Sequence, residues 1–322
     1  MIHLGDNGKI NFIINSYHGY DRTLTGGTEA FHTLAYLLAK EGQNVYVFCE
    51  NEYPHPNIHV LKGEFHDAEG ASGGWEDKKT SYFSYEPFTY TIHNTVSIYS
   101  QIDMGHPYNT KHVARWVMQD GFKEIEDSWL DTDYYFNFGD YFKKPSKGIY
   151  GGNLATSNFH FDIFKDHKKE DRKGYCHIWH KHTSENAPQI VEKYNSVDVS
   201  DWKGKGAWAY LAEQFNKYEY FLTYDQKTIY TLYAALCGCT PIIVDPNTNE
   251  NSYYRKDMTP IEYRTEDPAQ LFGVAWGFED LKWAEDTKHL VRDYLIEYDN
   301  QIQQKTVRDF IKFWENKCYE KR

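Results

Sequence analysis

A strand, a glycine-rich turn, a helix and a second strand follow one another near the start of the chain. The apolar run in residues 9–15 predicts a buried strand. Apolar residues then recur at spacings of three and four from 26 to 40, which predicts an amphipathic helix ended by Gly42. Residues 44–49 predict the next strand. Such strand–helix–strand units build parallel sheets, so the sequence predicts an α/β fold.

The same alternation returns in the second half of the chain. It predicts strands at 175–180, 218–224 and 241–244, with helices at 207–215 and 228–237. Further strands are predicted in the first half at 96–100, 113–118 and 134–138, while residues 51–95 are rich in turn residues and weakly patterned. The sequence therefore predicts two α/β domains in tandem.

A glycine-rich stretch at 148–153 separates the two halves and predicts the boundary. We therefore expect an N-terminal domain at 1–150 and a C-terminal domain at 151–305. The last apolar stripe predicts a helix at 306–322, with a capping box from Thr306 to Asp309 at its start. This helix is expected to cross back and complete the first domain.

Composition narrows the possible partners. The chain has 322 residues, with 35 Lys+Arg against 47 Asp+Glu. This excess of acidic residues argues against nucleic acid as the main binding partner. The longest apolar run, 234–244, is far shorter than the roughly 20 residues of a membrane span. Five cysteines without a CxxC pair predict neither a disulfide framework nor a zinc knuckle. Because the first residues also lack a signal-peptide pattern, we expect a cytoplasmic protein.

The first candidate site is Gly26-Gly27-Thr28-Glu29, between the first strand and helix. The two glycines would let a ligand approach the backbone, and a helix N-terminus attracts negative charge. The dinucleotide fingerprint GxGxxG is absent, which argues against a standard dinucleotide site. A second interpretation stays open, in which Glu29 only complements the helix dipole.

The second candidate site is in the second half. His180 and Lys181 end a predicted strand that follows Arg172, and basic side chains at a strand end can hold an anionic ligand. Asp225 ends another predicted strand, where it could accept the hydroxyl groups of a ribose, and Thr228 with the next helix start could hold a diphosphate. The alternative is that Asp225 is only the cap of that helix.

Two metal patterns are present and neither is convincing. His177, His180 and His182 are close in sequence, but His177 and His180 would point to opposite sides of a strand. Asp131-Thr132-Asp133 matches the DxD pattern of metal-dependent sugar transferases, yet it does not end an apolar strand. We therefore expect no obligatory metal and no cofactor.

These motifs together resemble glycosyltransferases of the GT-B fold, in particular a group of bacterial and viral transferase-like proteins. The shared features are the Gly-Gly-Thr-Glu helix start, the segment 107–117, the Arg-x-Gly-x-Cys strand at 172–176 and the block from Asp225-x-x-Thr228 to 234–239. The resemblance implies two facing Rossmann-like domains with a C-terminal helix that crosses back.

The resemblance also implies a function. Such a protein would transfer a hexose or pentose from a nucleoside-diphosphate sugar, with UDP or GDP, to a glycan, glycoconjugate or other hydroxyl acceptor, as in polysaccharide biosynthesis. The second domain would bind the donor and the first the acceptor. The implied donor residues are Arg172, His180, Lys181, Asp225, Thr228 and Tyr230. The implied acceptor residues are Gly26, Gly27, Thr28 and Asn109, with Glu29 or His18 as the catalytic base of an inverting reaction.

This chain departs from the pattern of the resembled enzymes at two places. Where many of them have a Glu-x7-Glu pair, it has Asp225 and Tyr233, and where they have an Arg-Lys pair, it has His180-Lys181. Two alternatives therefore stay open: a nucleotide-sugar epimerase of the same fold, and a catalytically silent nucleotide- or sugar-binding protein. A Rossmann oxidoreductase is disfavoured because GxGxxG is missing.

Overall fold

The chain divides into two compact units. The computed structural model describes residues 2–4, 7–16, 26–49, 58–66, 82–85, 88–118, 123–139, 144–156, 159–179, 187–200, 207–225, 228–245 and 272–319. The first unit comprises Met1–Asn158 and Asp299–Arg322, and the second comprises Phe159–Tyr298. Each unit contains a parallel sheet, and each is described by itself below.

The first unit contains an eight-stranded sheet, which is parallel apart from one edge strand. The described strands of this unit, which include the β1–β6 pair outside that sheet, are β1 (Ile2–Leu4), β2 (Asn11–Asn15), β3 (Asn44–Cys49), β4 (Ile58–His66), β5 (Tyr82–Tyr85), β6 (Phe88–Tyr90), β7 (Thr95–Ser100), β8 (His112–Val117), β9 (Tyr134–Asn137) and β10 (Ile149–Asn153). The sheet order is β10-β9-β8-β7-β2-β3-β4-β5, and β1 pairs separately with β6. Strands β3, β4 and β5 follow one another on one side of β2, and β7 to β10 follow one another on its other side. The strand order therefore reverses between β2 and β7. Such a switch point is where open α/β sheets bind ligands.

Two long helices cover one face of this sheet. They are α1 (Gly26–Lys40) and the last helix, named α8 below (Gln304–Tyr319), while the short α2 spans Lys123–Glu126. The ring of Phe310 in α8 stacks on Phe12 of β2 at 5.6 Å and meets Phe136 of β9 edge-on at 4.6 Å. Trp314, one turn further, is completely buried. The predicted return of the C-terminal helix to the first domain is confirmed.

The second unit contains five parallel strands in the order β12-β11-β13-β14-β15. They are β11 (Tyr175–His177), β12 (Val197–Asp198), β13 (Tyr220–Thr223), β14 (Thr240–Ile243) and β15 (Ala275–Trp276). Its helices are α3 (Ala187–Tyr194), α4 (Ala207–Lys217), α5 (Ile229–Leu236), α6 (Leu281–Thr287) and α7 (Val291–Tyr298). Counted along the chain, the sheet order is second, first, third, fourth and fifth, so this sheet has its switch point between β11 and β13. The predicted class, with a Rossmann-like α/β fold in each unit, is confirmed.

The glycine-rich stretch at 148–153 does not separate the units. It forms β10, which pairs with β9 at the edge of the first sheet. A β-carbon on Gly151 would lie 2.5 Å from Cζ of Phe136, so a larger residue there would force the ring to shift. The predicted boundary after residue 150 therefore falls inside a strand of the first unit, and the chain divides after Asn158 instead.

The start of the last helix also differs from the prediction. A π-helical turn, Asp299–Gln303, leads directly into α8, so Thr306 lies inside a helix and does not cap it. The hydroxyl group of Thr306 instead donates to the carbonyl oxygen of Gln303 at 3.0 Å and accepts from the amide of Ala155 at 3.2 Å. Thr306 thus joins α8 to the segment that follows β10.

Residues 51–95 contain strands where the sequence pattern was weak. The nine-residue β4 is the longest of them, and β5 and β6 are short. In the described part of the chain, no helix combines the length and the apolar character needed to cross a membrane.

Candidate functional site

The carboxyl ends of β11 and β13 meet at the switch point of the second sheet. His177 is in register with Leu222, and the chain continues beyond them to Trp179 and Tyr224. The rings of Trp179 and Tyr224 stack at 4.3 Å with an interplanar angle of 23°. Asp225 follows immediately; its backbone amide donates to the hydroxyl group of Thr223 at 3.0 Å. The side chain of Asp225 is therefore held at the edge where this sheet is expected to bind a ligand.

The next helix, α5, begins beside Asp225. Thr228 has extended backbone angles, φ −110° and ψ 137°, and its hydroxyl group accepts from the amide of Tyr230 at 3.3 Å. Thr228 is therefore the N-cap of α5, and the interpretation of Asp225 as that cap is wrong. Tyr230 itself is buried in the first turn. The positive end of α5 and the carboxylate of Asp225 thus lie within a few residues of each other.

His177 lies at this edge and extends the stack of Trp179 and Tyr224. The ring of His177 stacks on that of Trp179 at 4.8 Å, and its Nδ1 lies 2.9 Å from the hydroxyl oxygen of Ser196. Burial lowers the pKa of His177, although the nearby carboxylate of Asp198 opposes the shift. The net shift favours the neutral imidazole. His180 and Lys181, which were predicted to hold a diphosphate, lie outside the described residues, as does His182.

Arg172 lies at the other end of the sheet. It precedes β11, and its guanidinium group donates to the carbonyl oxygen of Cys237 at 2.9 Å and to the side chain of Asn216 at 3.3 Å. It also pairs with the carboxylate of Asp166. Because the strands are parallel, the start of β11 and the end of α5 are at the amino-terminal edge. Arg172 is thus separated from the other predicted donor residues, and its assignment to the donor site is corrected.

Tyr233, in the second place of the expected carboxylate pair, is a core residue. Its ring is fully buried and stacks on Phe164 at 3.8 Å, with an interplanar angle of 5°. Trp208 packs edge-on against it at 5.6 Å. The aromatic ring therefore fills space between α5 and α4 where the resembled enzymes have a carboxylate.

The first candidate site begins α1, at the carboxyl edge of the first sheet. Gly26, Gly27 and Thr28 form the start of this helix, and Glu29 is buried in its first turn. A β-carbon on Gly27 would lie 3.9 Å from Cε of Met118, which is ordinary contact, so the packing does not require glycine there. Their role toward an acceptor stays a prediction.

One turn later, His32 points back to the end of β2. Its Nε2 lies 2.8 Å from the hydroxyl oxygen of Ser16, and both side chains are buried. His18, predicted as an alternative base to Glu29, lies outside the described residues. His32 is thus a buried polar residue between α1 and the sheet edge that the sequence analysis did not predict.

Asn109 does not lie with the other predicted acceptor residues. It is in a turn just before β8, with a left-handed backbone (φ 50°), and its carbonyl oxygen accepts from the hydroxyl group of Tyr90 at 2.5 Å. The amino-terminal end of β8 is opposite to the edge where α1 begins. Asn109 is therefore a turn residue, and its assignment to the acceptor site is corrected.

The DxD match is part of a buried ion pair. The carboxylate of Asp133 lies 2.9 Å from Nε of Arg115 and 3.0 Å from Nε2 of His106. The guanidinium group of Arg115, which is fully buried, also donates to the carbonyl oxygen of Asp103 at 3.1 Å. Asp133 is thus engaged within the domain. Across the described residues, no three histidine, cysteine or acidic side chains form a group that could hold a metal ion.

Three polar residues at the switch point of the first sheet were missed. Asn15 ends β2, and its Nδ2 donates to Oδ1 of Asp103 at 3.0 Å; both side chains are only 2% exposed. The other oxygen of Asp103 accepts from the amide and the hydroxyl group of Ser100 at 2.6 and 2.9 Å. Burial raises the pKa of Asp103 to about 7 against the opposing effects of these bonds and of Arg115. A polar residue that ends an apolar strand, as Asn15 does, was the signal that could have found this cluster.

Comparisons with known proteins give solved structures but no family. No protein-family model matches the sequence, and no curated protein matches it. One similar structure is WaaG, a glycosyltransferase involved in lipopolysaccharide biosynthesis, with 10% identity over 96% of this chain and 98% of that chain, and a TM-score of 0.46. Another is an alpha-glucosyltransferase in complex with UDP and a 13-mer DNA, with 13% identity over 97% and 98% of the two chains and a TM-score of 0.42.

A third similar structure is a UDP-N-acetylglucosamine 2-epimerase, with 9% identity over 94% of this chain and 90% of that chain, and a TM-score of 0.39. The fold of this chain is defined by its own strand pairing and contacts.

Proposed function

We propose that this protein is a glycosyltransferase, which transfers a glycosyl group from a nucleoside-diphosphate sugar to a hydroxyl acceptor. The observation that carries the proposal is the position of Asp225 and the Thr228-capped start of α5 at the switch point of the second sheet. A carboxylate there suits the two hydroxyl groups of a ribose, and a helix N-terminus suits a diphosphate. The motif resemblance supports the same assignment.

The proposed donor site is formed by three parts of the second unit. Asp225 would accept hydrogen bonds from the ribose, the start of α5 would bind the diphosphate, and His180-Lys181 would add positive charge beside it. The Trp179–Tyr224 stack gives this edge a rigid aromatic wall. Together these groups would bind the ribose and the two phosphates of a nucleoside diphosphate. They would not contact its base.

In the proposed reaction, the bond between the glycosyl carbon and the diphosphate oxygen breaks, and a new bond forms between that carbon and the acceptor oxygen. The electron pair of the broken bond stays on the diphosphate, where the helix dipole and Lys181 would stabilise the negative charge without an obligatory metal. The acceptor hydroxyl group loses a proton, which Glu29 or His18 would take if the configuration inverts. A retaining reaction would not require that base, because the departing diphosphate oxygen can take the proton.

The test is release of nucleoside diphosphate from a panel of nucleotide sugars. We expect one uridine- or guanosine-diphosphate sugar to be turned over, and turnover to persist in excess EDTA. Asp225→Ala should lower kcat/KM for the donor about 10- to 150-fold, whereas Asp286→Ala, an exposed Asp-to-Ala control in α6, should leave it unchanged. If no nucleotide sugar is consumed, or if the two variants behave alike, the proposal fails.

The same assay separates the two alternatives. An epimerase would convert the donor sugar to its epimer when no acceptor is added, and product analysis by NMR would show this directly. A silent binding protein would be stabilised by nucleotide in proportion to its concentration but would consume none. The buried ring of Tyr233, in place of a carboxylate, is the observation that favours the silent protein.

A further inference from the structure

The switch point of the first sheet has a built polar cluster that the proposed donor site does not use. Asn15 is at the end of β2, and Ser100 and Asp103 are at the end of β7 and in the turn after it. The bond from Nδ2 of Asn15 to Oδ1 of Asp103 links the two strand ends at 3.0 Å. All three side chains are at least nine-tenths buried. This is the position at which an open α/β sheet binds a ligand.

One atom of this cluster points to a missing partner. Oδ1 of Asn15 is buried and accepts no hydrogen bond from any residue that the structure describes. When Asp103 is ionised, the nitrogen of the Asn15 amide faces the carboxylate, and Oδ1 of Asn15 is the atom left without a donor. A buried acceptor without a donor is costly, so nearly all buried polar atoms bond to the protein or to a bound molecule.

The chemistry of the cluster selects the kind of molecule. Its available atoms are acceptors: Oδ1 of Asn15, and the remaining lone pair on Oδ1 of Asp103. A phosphate would be repelled by the carboxylate, and an apolar group would leave the amide oxygen without a donor. A neutral hydroxyl group can donate its one hydrogen to Oδ1 of Asn15 without either cost.

We infer that Asn15 and Asp103 form a second ligand site, which binds a hydroxyl group of a neutral sugar at the switch point of the first domain. Within the proposed transferase function, on which this reading of the ligand's role rests, the sugar belongs to the glycan acceptor. Asn15 and Asp103 are then acceptor-binding residues, and they replace Asn109 in the predicted set.

Nuclear magnetic resonance on protein labelled with ¹⁵N-asparagine tests this site in the intact chain. The probes are the methyl glycosides of glucose, galactose, mannose and xylose. We expect the side-chain amide signal of Asn15 to shift saturably with at least one of them. Asn11 is the matched reference, because it is on the same strand but at its amino-terminal end, where its amide oxygen accepts from Asn44. Its signal should stay in place.

Variants give the second readout. Asn15→Ala should weaken glycoside binding at least tenfold, measured by saturation transfer to the glycoside, and Asn11→Ala should change it less than twofold. If Asn15→Ala does not fold, the wild-type titration still decides. An Asn15 signal that moves with no glycoside, or that moves no more than Asn11, overturns the inference.

Uridine and guanosine diphosphates, titrated into the same labelled protein, separate this inference from the proposed function. If glycosides shift Asn15 but no nucleoside diphosphate binds, the sugar site stands and the transferase proposal fails. If a nucleoside diphosphate binds but no glycoside shifts Asn15, the sugar site fails and the donor site stands.

Discussion

The two sheets each reverse their strand order once, but the groups at the two reversals differ in chemistry. In the first sheet, the buried cluster of Asn15 and Asp103 offers acceptor atoms and a carboxyl group whose pKa is raised to about 7. In the second sheet, Asp225 lies beside the Thr228-capped start of α5, which combines an acceptor with the positive end of a helix. The first combination suits neutral hydroxyl groups, and the second suits a ribose joined to phosphates.

The difference shows that two sheets of the same topology can suit different ligands. Both sheets place polar residues at the carboxyl ends of parallel strands, as doubly wound sheets do. What distinguishes them is the setting of the carboxyl group: Asp103 is bonded to Asn15 and Ser100 within a buried cluster, whereas Asp225 lies beside the capped start of α5. Substitutions made in one unit at a time test whether the two reversals are separate sites, each supported by its own unit.

The largest expected effect concerns the helix that completes the first unit. Trp314 is fully buried, and its ring packs edge-on against Tyr134 at 5.5 Å. Trp314→Ala should lower the free energy of unfolding by about 3–5 kcal/mol, since it removes a large buried ring. Chemical denaturation measures this, with Glu315→Ala, on an exposed residue of α8, as the control. A loss below 1 kcal/mol would contradict the role of α8 in this core.

The pH dependence of stability tests the raised pKa of Asp103. Because its pKa is about 7 in the folded chain and near the ordinary 3.8 when unfolded, the folded state holds an extra proton between these values. Its contribution to the free energy of unfolding is therefore complete below pH 4 and falls by up to about 1.4 kcal/mol per pH unit up to pH 7. The difference between wild type and Asp103→Asn should show this slope. A difference that is flat or rises between pH 4 and 7 would contradict it.

Arg172 tests the assignment of the two edges of the second sheet. Arg172→Met removes the bonds to Asp166, Asn216 and the carbonyl oxygen of Cys237, so it should destabilise the chain by about 1.5–3 kcal/mol. The affinity for a nucleoside diphosphate should stay the same in the folded variant, because Arg172 is at the opposite edge. Calorimetry checks the affinity, and a tenfold loss would return Arg172 to the donor site.

The smallest of these stability effects is expected at Gly151. The new methyl group of Gly151→Ala would contact the ring of Phe136 at 2.5 Å, and relieving such a clash costs about 1–3 kcal/mol. Gly8→Ala provides a comparison, because its β-carbon would meet no atom within 4 Å, although its φ of +79° adds backbone strain there. Nucleoside diphosphate affinity should be unchanged in both variants. Equal stability of Gly151→Ala and wild type would contradict the close approach of β10 to β9.

Much of the fold could be predicted from the sequence because it depends on local periodicity. The spacing of apolar residues located α1 correctly, and the stripe with Phe310 and Trp314 identified the helix that returns to the first unit. The glycine-rich stretch was misread as a boundary because the reason for Gly151 is a tertiary one, the nearby ring of Phe136. Sequence spacing cannot show such an approach.

The candidate sites were less predictable for a related reason. Asp225 and Thr228 are neighbours in sequence, so the strand-to-helix pattern was enough to select them. Asn15 and Asp103 are 88 residues apart and meet only because β7 pairs with β2. Arg172 and Asn109 were assigned from motifs, and motifs do not show at which edge of a parallel sheet a residue lies.

The most direct test of the account is calorimetric titration of the protein with uridine and guanosine diphosphates. We predict that one of them binds to the wild type and to Asp286→Ala with the same affinity. Asp225→Ala should lose about 1.5–3 kcal/mol of binding free energy, because hydrogen bonds to a charged group are removed. Wild-type affinity in a folded Asp225→Ala variant, or no binding of either diphosphate to the wild type, would contradict the assignment of the donor site to the second sheet.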